Sequence, residues 1–159
     1  MKTILVIDDK DEIRSVVIAT LAHAGYAVRQ ARNGRDGILM VLAQRPDLIL
    51  CDVRMPEMDG YRTLAAIREC RGTAAIPFIL MTGSMGREEF RHAMVCGADD
   101  YLMKPFTAHE LVKAVKSRLA RHTHVQTEAY QRIEKLREPA LLPRLPDSAP
   151  VGASMAVAA

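Results

Sequence analysis

Short apolar runs alternate five times with amphipathic stretches up to about residue 120, and four of the runs stop at a side chain capable of chemistry. Ile4-Leu5-Val6-Ile7 runs into Asp8-Asp9, and Leu48-Ile49-Leu50-Cys51 into Asp52. Phe78-Ile79-Leu80-Met81 runs into Thr82, and Tyr101-Leu102-Met103 into Lys104-Pro105. An apolar run of this length, bounded by turn residues, reads as a strand buried on both faces of a parallel sheet. The candidate strands are 3–8, 26–30, 47–52, 76–82 and 99–103. Helical periodicity fills the gaps through Ile13, Val16, Val17, Thr20 and Leu21; Ile38, Val41 and Leu42; Leu64 and Ile67; Phe90 and Met94; and Leu111, Val115 and Leu119. Such alternation predicts a doubly wound α/β fold, a five-stranded parallel sheet with five helices on its two faces. Right-handed crossovers make the strand order 2-1-3-4-5, with a crevice between the first and third strands. Ligand chemistry in open α/β sheets gathers outside the carboxyl ends of the strands. Three carboxylates, a hydroxyl and an ammonium are therefore delivered to one edge.

Local signals punctuate these elements. Gly25 and Gly97 suit the left-handed position that closes a helix. Asn33 is the expected cap of the second helix, and Thr107-x-x-Glu110 is a capping box opening the fifth. Residues 1–121 are expected to form one domain. From Arg121 to Glu138 there is no Gly or Pro, so 122–138 is expected to extend the last helix. A loose heptad passes through Val115, Leu119, His122, Gln126, Ala129, Ile133 and Leu136, with two polar members. Pro139 stops the helix, and 139–159, with Pro143, Pro146, Pro150 and an Ala-rich end, reads as a disordered tail or a truncated linker.

Composition narrows the class. The chain has 159 residues, 22 basic and 19 acidic, for a net charge of +3. Neither sign collects into a run, which leaves no electrostatic footprint for nucleic acid. No apolar stretch approaches the roughly 18 residues of a membrane span, and no secretory signal is visible. Cys51, Cys70 and Cys96 form no CxxC, and three reduced thiols in a cytoplasmic protein is the expected state.

The acidic edge needs compensation. Carboxylates ~5 Å apart repel by roughly 3 kcal/mol per pair at an effective dielectric near 20. Three pairs among Asp8, Asp9 and Asp52 would consume much of a small domain's ~5–15 kcal/mol stability. Either one carboxyl is protonated or a cation is bound. An oxygen-only, partly solvated site suits Mg²⁺.

At these residues the chain resembles the receiver domain of two-component response regulators. The resemblance rests on Val6-Ile7-Asp8-Asp9, Cys51-Asp52-Val53-Arg54-Met55-Pro56-Glu57-Met58-Asp59-Gly60, Met81-Thr82-Gly83 and Gly97-Ala98-Asp99-Asp100-Tyr101-Leu102-Met103-Lys104-Pro105-Phe106. It implies a flavodoxin-like fold in which Asp52 accepts a phosphoryl group from a phosphohistidine of a histidine kinase or phosphotransfer protein. Asp8, Asp9, Asp52 and the backbone carbonyl of Arg54 would hold Mg²⁺. Thr82 and Lys104 would contact the phosphoryl oxygens, with Pro105 following in the cis form the family keeps. Thr82 and Tyr101 would form the switch read by a downstream protein effector. Only self-phosphorylation and slow autodephosphorylation would be catalysed, and a homodimer through the 106–138 helix or the switch face belongs to the same expectation.

Other readings are weaker. Arg54 and Ser84 occupy rim positions that vary among receivers, and no sign of their effect on dephosphorylation follows. His122-x-His124 does not share a helix face and has no Cys partner. Gly83-x-x-Gly86 lacks the phosphate-loop and dinucleotide patterns. The methionines read as core packing. A Mg²⁺-dependent phosphatase of the haloacid dehalogenase type would use Asp9-Lys10-Asp11, but it wants an acidic pair after its lysine, whereas Asp99-Asp100 precede Lys104. After position 120 there is no helix-turn-helix pattern, so specific DNA binding by this chain is not expected. An excised module of a larger hybrid kinase or regulator remains an alternative description of the same chemistry.

Overall fold

The computed structural model describes residues 1–83 and 86–137. The elements follow in order: β1 (Thr3–Ile7), α1 (Asp11–His23), β2 (Ala27–Ala31), α2 (Gly34–Ala43), β3 (Leu48–Asp52), α3 (Gly60–Glu69), β4 (Phe78–Thr82), α4 (Arg87–Val95), β5 (Asp100–Met103) and α5 (Ala108–Arg137). The five strands are parallel and ordered β2-β1-β3-β4-β5, as the alternation predicts. Successive residues of a strand face opposite sides of a sheet, so each central strand feeds two cores. Leu5, Ile7, Ile49, Cys51, Phe78 and Leu80 pack with Val41, Leu64 and Ile67 on one side. Ile4, Val6, Leu48, Leu50, Ile79 and Met81 pack with Val17, Leu21, Leu111 and Val115 on the other. Burial on both faces is why these strands read as unbroken apolar runs.

Caps set the helix ends near the sheet edges. Asn33 Oδ1 accepts the Asp36 N–H at 2.8 Å, as expected. Thr107 and Glu110 cap α5 reciprocally: Glu110 N–H donates to Thr107 Oγ1 at 3.2 Å and Thr107 N–H to Glu110 Oε2 at 2.7 Å. Gly25 and Gly97 have φ of 88° and 85°. Asp59, not foreseen as a cap, opens α3 by accepting the Arg62 N–H at 2.8 Å. Arg68 was equally silent in the sequence. Its guanidinium donates to the carbonyls of Ala74, Ile76 and Gly97 at 2.9, 2.8 and 3.0 Å and to Asp99 at 2.8 Å. One side chain thus ties the end of α3 to the entries of β4 and β5.

Some helical positions expected to be buried are not. Val16, Leu42 and Met94 are 66%, 59% and 39% exposed, whereas Val17 and Val41 of the same periodic sets are buried as expected and Ala93 points inward in place of Met94. A helix lying on a sheet buries one limited face, and neighbours one residue apart point about 100° away from each other. Met81 and Met55 are core residues, but Met1, Met94 and Met103 are not. Val115 and Leu119 pack in the domain core, so the first two heptad positions belong to the fold itself. The Phe90 and Leu136 side chains, Ser84 and the 139–159 tail lie outside the described residues.

The chain divides into two compact units, Met1–His124 and Val125–Ala159. The first contains the whole sheet. In the second, the described residues continue α5 to Arg137 and expose Val125, Tyr130 and Ile133. No helix among the described residues is long and apolar enough to cross a membrane.

Candidate functional site

The carboxyl ends of β1, β3 and β4 and the residue after β5 meet at one edge. Register sets this: Ile7 lies opposite Cys51, Asp52 opposite Met81, and Thr82 opposite Met103. Asp8, the first residue past β1, is fully buried, and Asp52 and Thr82 are buried. One ligand oxygen each of Asp8, Asp9 and Asp52 lies within 4.8 Å of the others. Lys104 crosses the cluster, with Nζ donating to Asp8 Oδ2 at 2.9 Å and to Asp52 Oδ1 at 2.5 Å. Its backbone N–H donates to the Thr82 carbonyl at 2.7 Å, which joins the last two strand ends. The Lys104–Pro105 peptide is cis.

Charge and burial compete here. Burial pushes the Asp52 carboxyl above its ordinary value, Lys104 pulls it back, and Asp8 and Asp9 push it up again, leaving it raised. For Lys104 burial acts downward, but the hydrogen bonds and charges of Asp52 and Asp8 outweigh it, so the ammonium is held more firmly than usual. Cys51, next to the cluster, is fully buried and its thiol is pushed well up, chiefly by that burial. It is packing, not a nucleophile.

The residues fit a hard divalent cation. Asp8 Oδ1 accepts the Lys10 N–H at 2.9 Å and its Oδ2 accepts Lys104, which leaves each oxygen a lone pair for a cation. Asp9 Oδ1 is buried and is the one such side-chain atom without a hydrogen-bond partner among the described residues. An unsatisfied buried carboxylate oxygen is costly unless something neutralises it. Three carboxylates gathered within 4.8 Å would hold such an ion, with water supplying the rest of its oxygen ligands.

The loop after β3 folds back over the site. Val53 N–H donates to the Met81 carbonyl and Gly60 N–H to the Val53 carbonyl, at 2.9 and 3.0 Å. A Cβ at Gly60 would lie 2.5 Å from the Asp52 carbonyl oxygen, so only glycine admits this approach. Glu57 takes the left-handed conformation, φ 63°, in the same loop. Arg54 is exposed on it. Tyr101 is half-buried in β5 opposite Leu80, on the sheet face that Leu80 shares with Thr82. Asp11, the last residue of Asp9-Lys10-Asp11, stays out of the cluster: it is exposed and pairs with Arg14 and Arg32. Beside Lys104, Gly83, Ile13, Val16, Pro105 and Phe106 line an apolar groove of about 550 Å³.

Comparison with known proteins agrees with the geometry. The family model described as response regulator receiver domain matches residues 4–116. The DNA-binding dual master transcriptional regulator RpaA of Synechocystis is 35% identical over 129 residues, covering 81% of this chain and 54% of RpaA. The regulatory protein AtoC of Escherichia coli is 39% identical over 108 residues, covering 68% of this chain and 23% of AtoC. The chain thus spans about half or less of the length of such curated relatives. Among solved structures, the chemotaxis protein CheY4 of Vibrio cholerae superposes with a TM-score of 0.71 at 32% identity, covering 74% of this chain and 98% of CheY4. The receiver domain of the sensor histidine kinase PA1611 of Pseudomonas aeruginosa gives 0.70 at 29%, covering 75% of this chain and 98% of its own; that structure holds a magnesium ion in its active site cleft. Fold, strand-end chemistry and relatives converge, and this chain belongs to the response regulator receiver family.

Proposed function

We propose that this chain is a phosphorylation-dependent switch in which Asp52 accepts a phosphoryl group from a phosphohistidine on a histidine kinase or phosphotransfer protein. The observation that supports it most is the Lys104 ammonium bridging Asp8 and Asp52, beside an Asp9 oxygen that has no partner. An Asp52 carboxylate oxygen attacks phosphorus, the P–N bond breaks, and its electron pair leaves with the imidazole nitrogen. Such transfer is dominated by positioning and charge neutralisation, which needs no general base. Asp8, Asp9, Asp52 and the Arg54 carbonyl are the groups that would hold Mg²⁺, which supplies neutralisation of the phosphoryl oxygens. Lys104 would neutralise them as well, and the Thr82 hydroxyl, at the end of β4, would donate to a phosphoryl oxygen. The groove past Val16 and Phe106 offers an apolar seat for the phosphodonor next to Lys104.

The readout uses the same edge. Thr82 drawn toward the phosphoryl group leaves space on the face it shares with Tyr101, which fills it. The surface of α4, β5 and α5 then changes for a downstream protein effector, a two-state element biased by one local charge. Incubation with Mg²⁺ and a small phosphodonor such as phosphoramidate should label the wild type and leave Asp52→Asn unlabelled. Labelling that survives in Asp52→Asn overturns the assignment.

A further inference from the structure

Arg14 is buried, with 4% of its surface exposed, yet it touches none of the groups assigned to the phosphoryl site through their side chains. Its Nη1 donates to the backbone carbonyl of Asp8 at 2.7 Å. Its Nε donates to Gln30 Oε1 on β2 at 3.0 Å, and its Nη2 to Asp11 Oδ1. We infer that Arg14 is a positioning residue for the metal site, fixing the peptide plane that carries Asp9.

The geometry gives the reason. The ladder of β1 ends at Ile7, paired with Ala31 and Cys51. Beyond it the Asp8 N–H still donates to the Ala31 carbonyl at 3.2 Å, and the Asp8 carbonyl is held by Arg14. That oxygen belongs to the same rigid plane as the nitrogen and Cα of Asp9. Pinning it sets the direction in which the Asp9 side chain leaves the backbone, and Asp9 Oδ1 is the buried oxygen awaiting a partner. The planar fork matters as well as the charge, because three acceptors, one just past β1, one on β2 and one on α1, are reached from one rigid group. An apolar side chain would hold α1 on the sheet as well as a buried ion does. It would leave the Asp8 carbonyl unbonded.

The role rests on the metal reading above, and its test reads metal affinity directly. Mn²⁺ binding by electron paramagnetic resonance is compared for wild type, Arg14→Lys, Arg14→Met and Asp11→Asn, with urea unfolding of each. Loss of a residue that orients a ligand typically costs about 10–100-fold in metal affinity, and that loss is expected for Arg14→Lys and Arg14→Met. Asp11→Asn, which frees one arm of the fork on an exposed side chain, should weaken binding by a few-fold and keeps the question open to measurement if the Arg14 variants do not fold. Leu21→Ala, a core truncation away from the site, should lower stability and leave Mn²⁺ affinity unchanged. The Mg²⁺ concentration for half-maximal Asp52 labelling should rise in Arg14→Lys while the plateau rate holds. Mn²⁺ binding within two-fold of wild type in the folded variants overturns the role of Arg14 alone. A wild type that binds no Mn²⁺ overturns the metal reading, and the role of Arg14 with it.

Discussion

Removing one charge from the acidic edge should make the metal-free protein more stable, not less. At 4.8 Å, each carboxylate pair repels by about 3.5 kcal/mol at an effective dielectric near 20. Asp9 takes part in two of the three pairs, about 7 kcal/mol of gross repulsion. Lys104, hydrogen-bonded to the other two carboxylates, returns part of this by attraction, and water reaching the half-buried Asp9 screens more. The expected net gain for Asp9→Asn is about 1–2 kcal/mol without metal, well outside the scatter of ordinary surface substitutions. Mg²⁺ reverses the ranking. A ligand at 100 times its dissociation constant stabilises the folded state by about 2.7 kcal/mol, and only wild type should gain this. Urea unfolding with and without Mg²⁺, at unchanged m-value, measures both numbers. An Asp9→Asn variant less stable than wild type in chelator, or stabilised equally by Mg²⁺, would refute the electrostatic account of the site.

Three further outcomes are expected. Gly60→Ala places a methyl 2.5 Å from the Asp52 carbonyl oxygen; it should cost about 1–3 kcal/mol in urea and slow Asp52 labelling, whereas Gly72→Ala, with open space around it, should do neither. Asp47, whose burial acts to raise its carboxyl, is held net below its usual value by the Lys2 ammonium and the Thr3 N–H. A depressed carboxyl stabilises above its unfolded pKa of 3.8 and loses that contribution as pH falls through the folded value. Asp47→Asn should therefore cost about 0.5–1 kcal/mol at pH 7, discounted for a partly exposed pair, and the gap should close below pH 3.8. Tyr101→Ala should label at a rate near wild type while reducing the phosphorylation-dependent change in hydrogen exchange over β5 and α5; an undiminished change would count against its part in the switch.

Most of the fold is legible in the sequence because it is built from uniform buried strands. Where boundaries slip, a local cause is visible. The fourth strand starts at Phe78, not at 76, because Pro77 has no N–H for the ladder and the Ile76 N–H goes back to Thr73. The second strand runs to Ala31 because Ala31 pairs with Ile7 at the site edge. The strand-end residues are also legible, since topology alone gathers Asp8, Asp52, Thr82 and Lys104. What the sequence hides is contact across distance. Arg68 and Arg14 read as ordinary helical arginines, and only their acceptors on other elements give them work. Gly60 stands in a recognised motif, yet the reason for glycine is the Asp52 carbonyl eight positions earlier. Helix faces are the least legible, as Val16 and Leu42 show: both lie one residue from the buried stripe.

The most direct test of the central claim is to locate the phosphoryl group itself. After incubation with Mg²⁺ and phosphoramidate, borohydride reduction converts an aspartyl phosphate to homoserine, and peptide mass spectrometry reports where. Homoserine at position 52 alone is the expected result. Homoserine at position 8 or 9, or phosphate retained on a hydroxyl or imidazole, would contradict it.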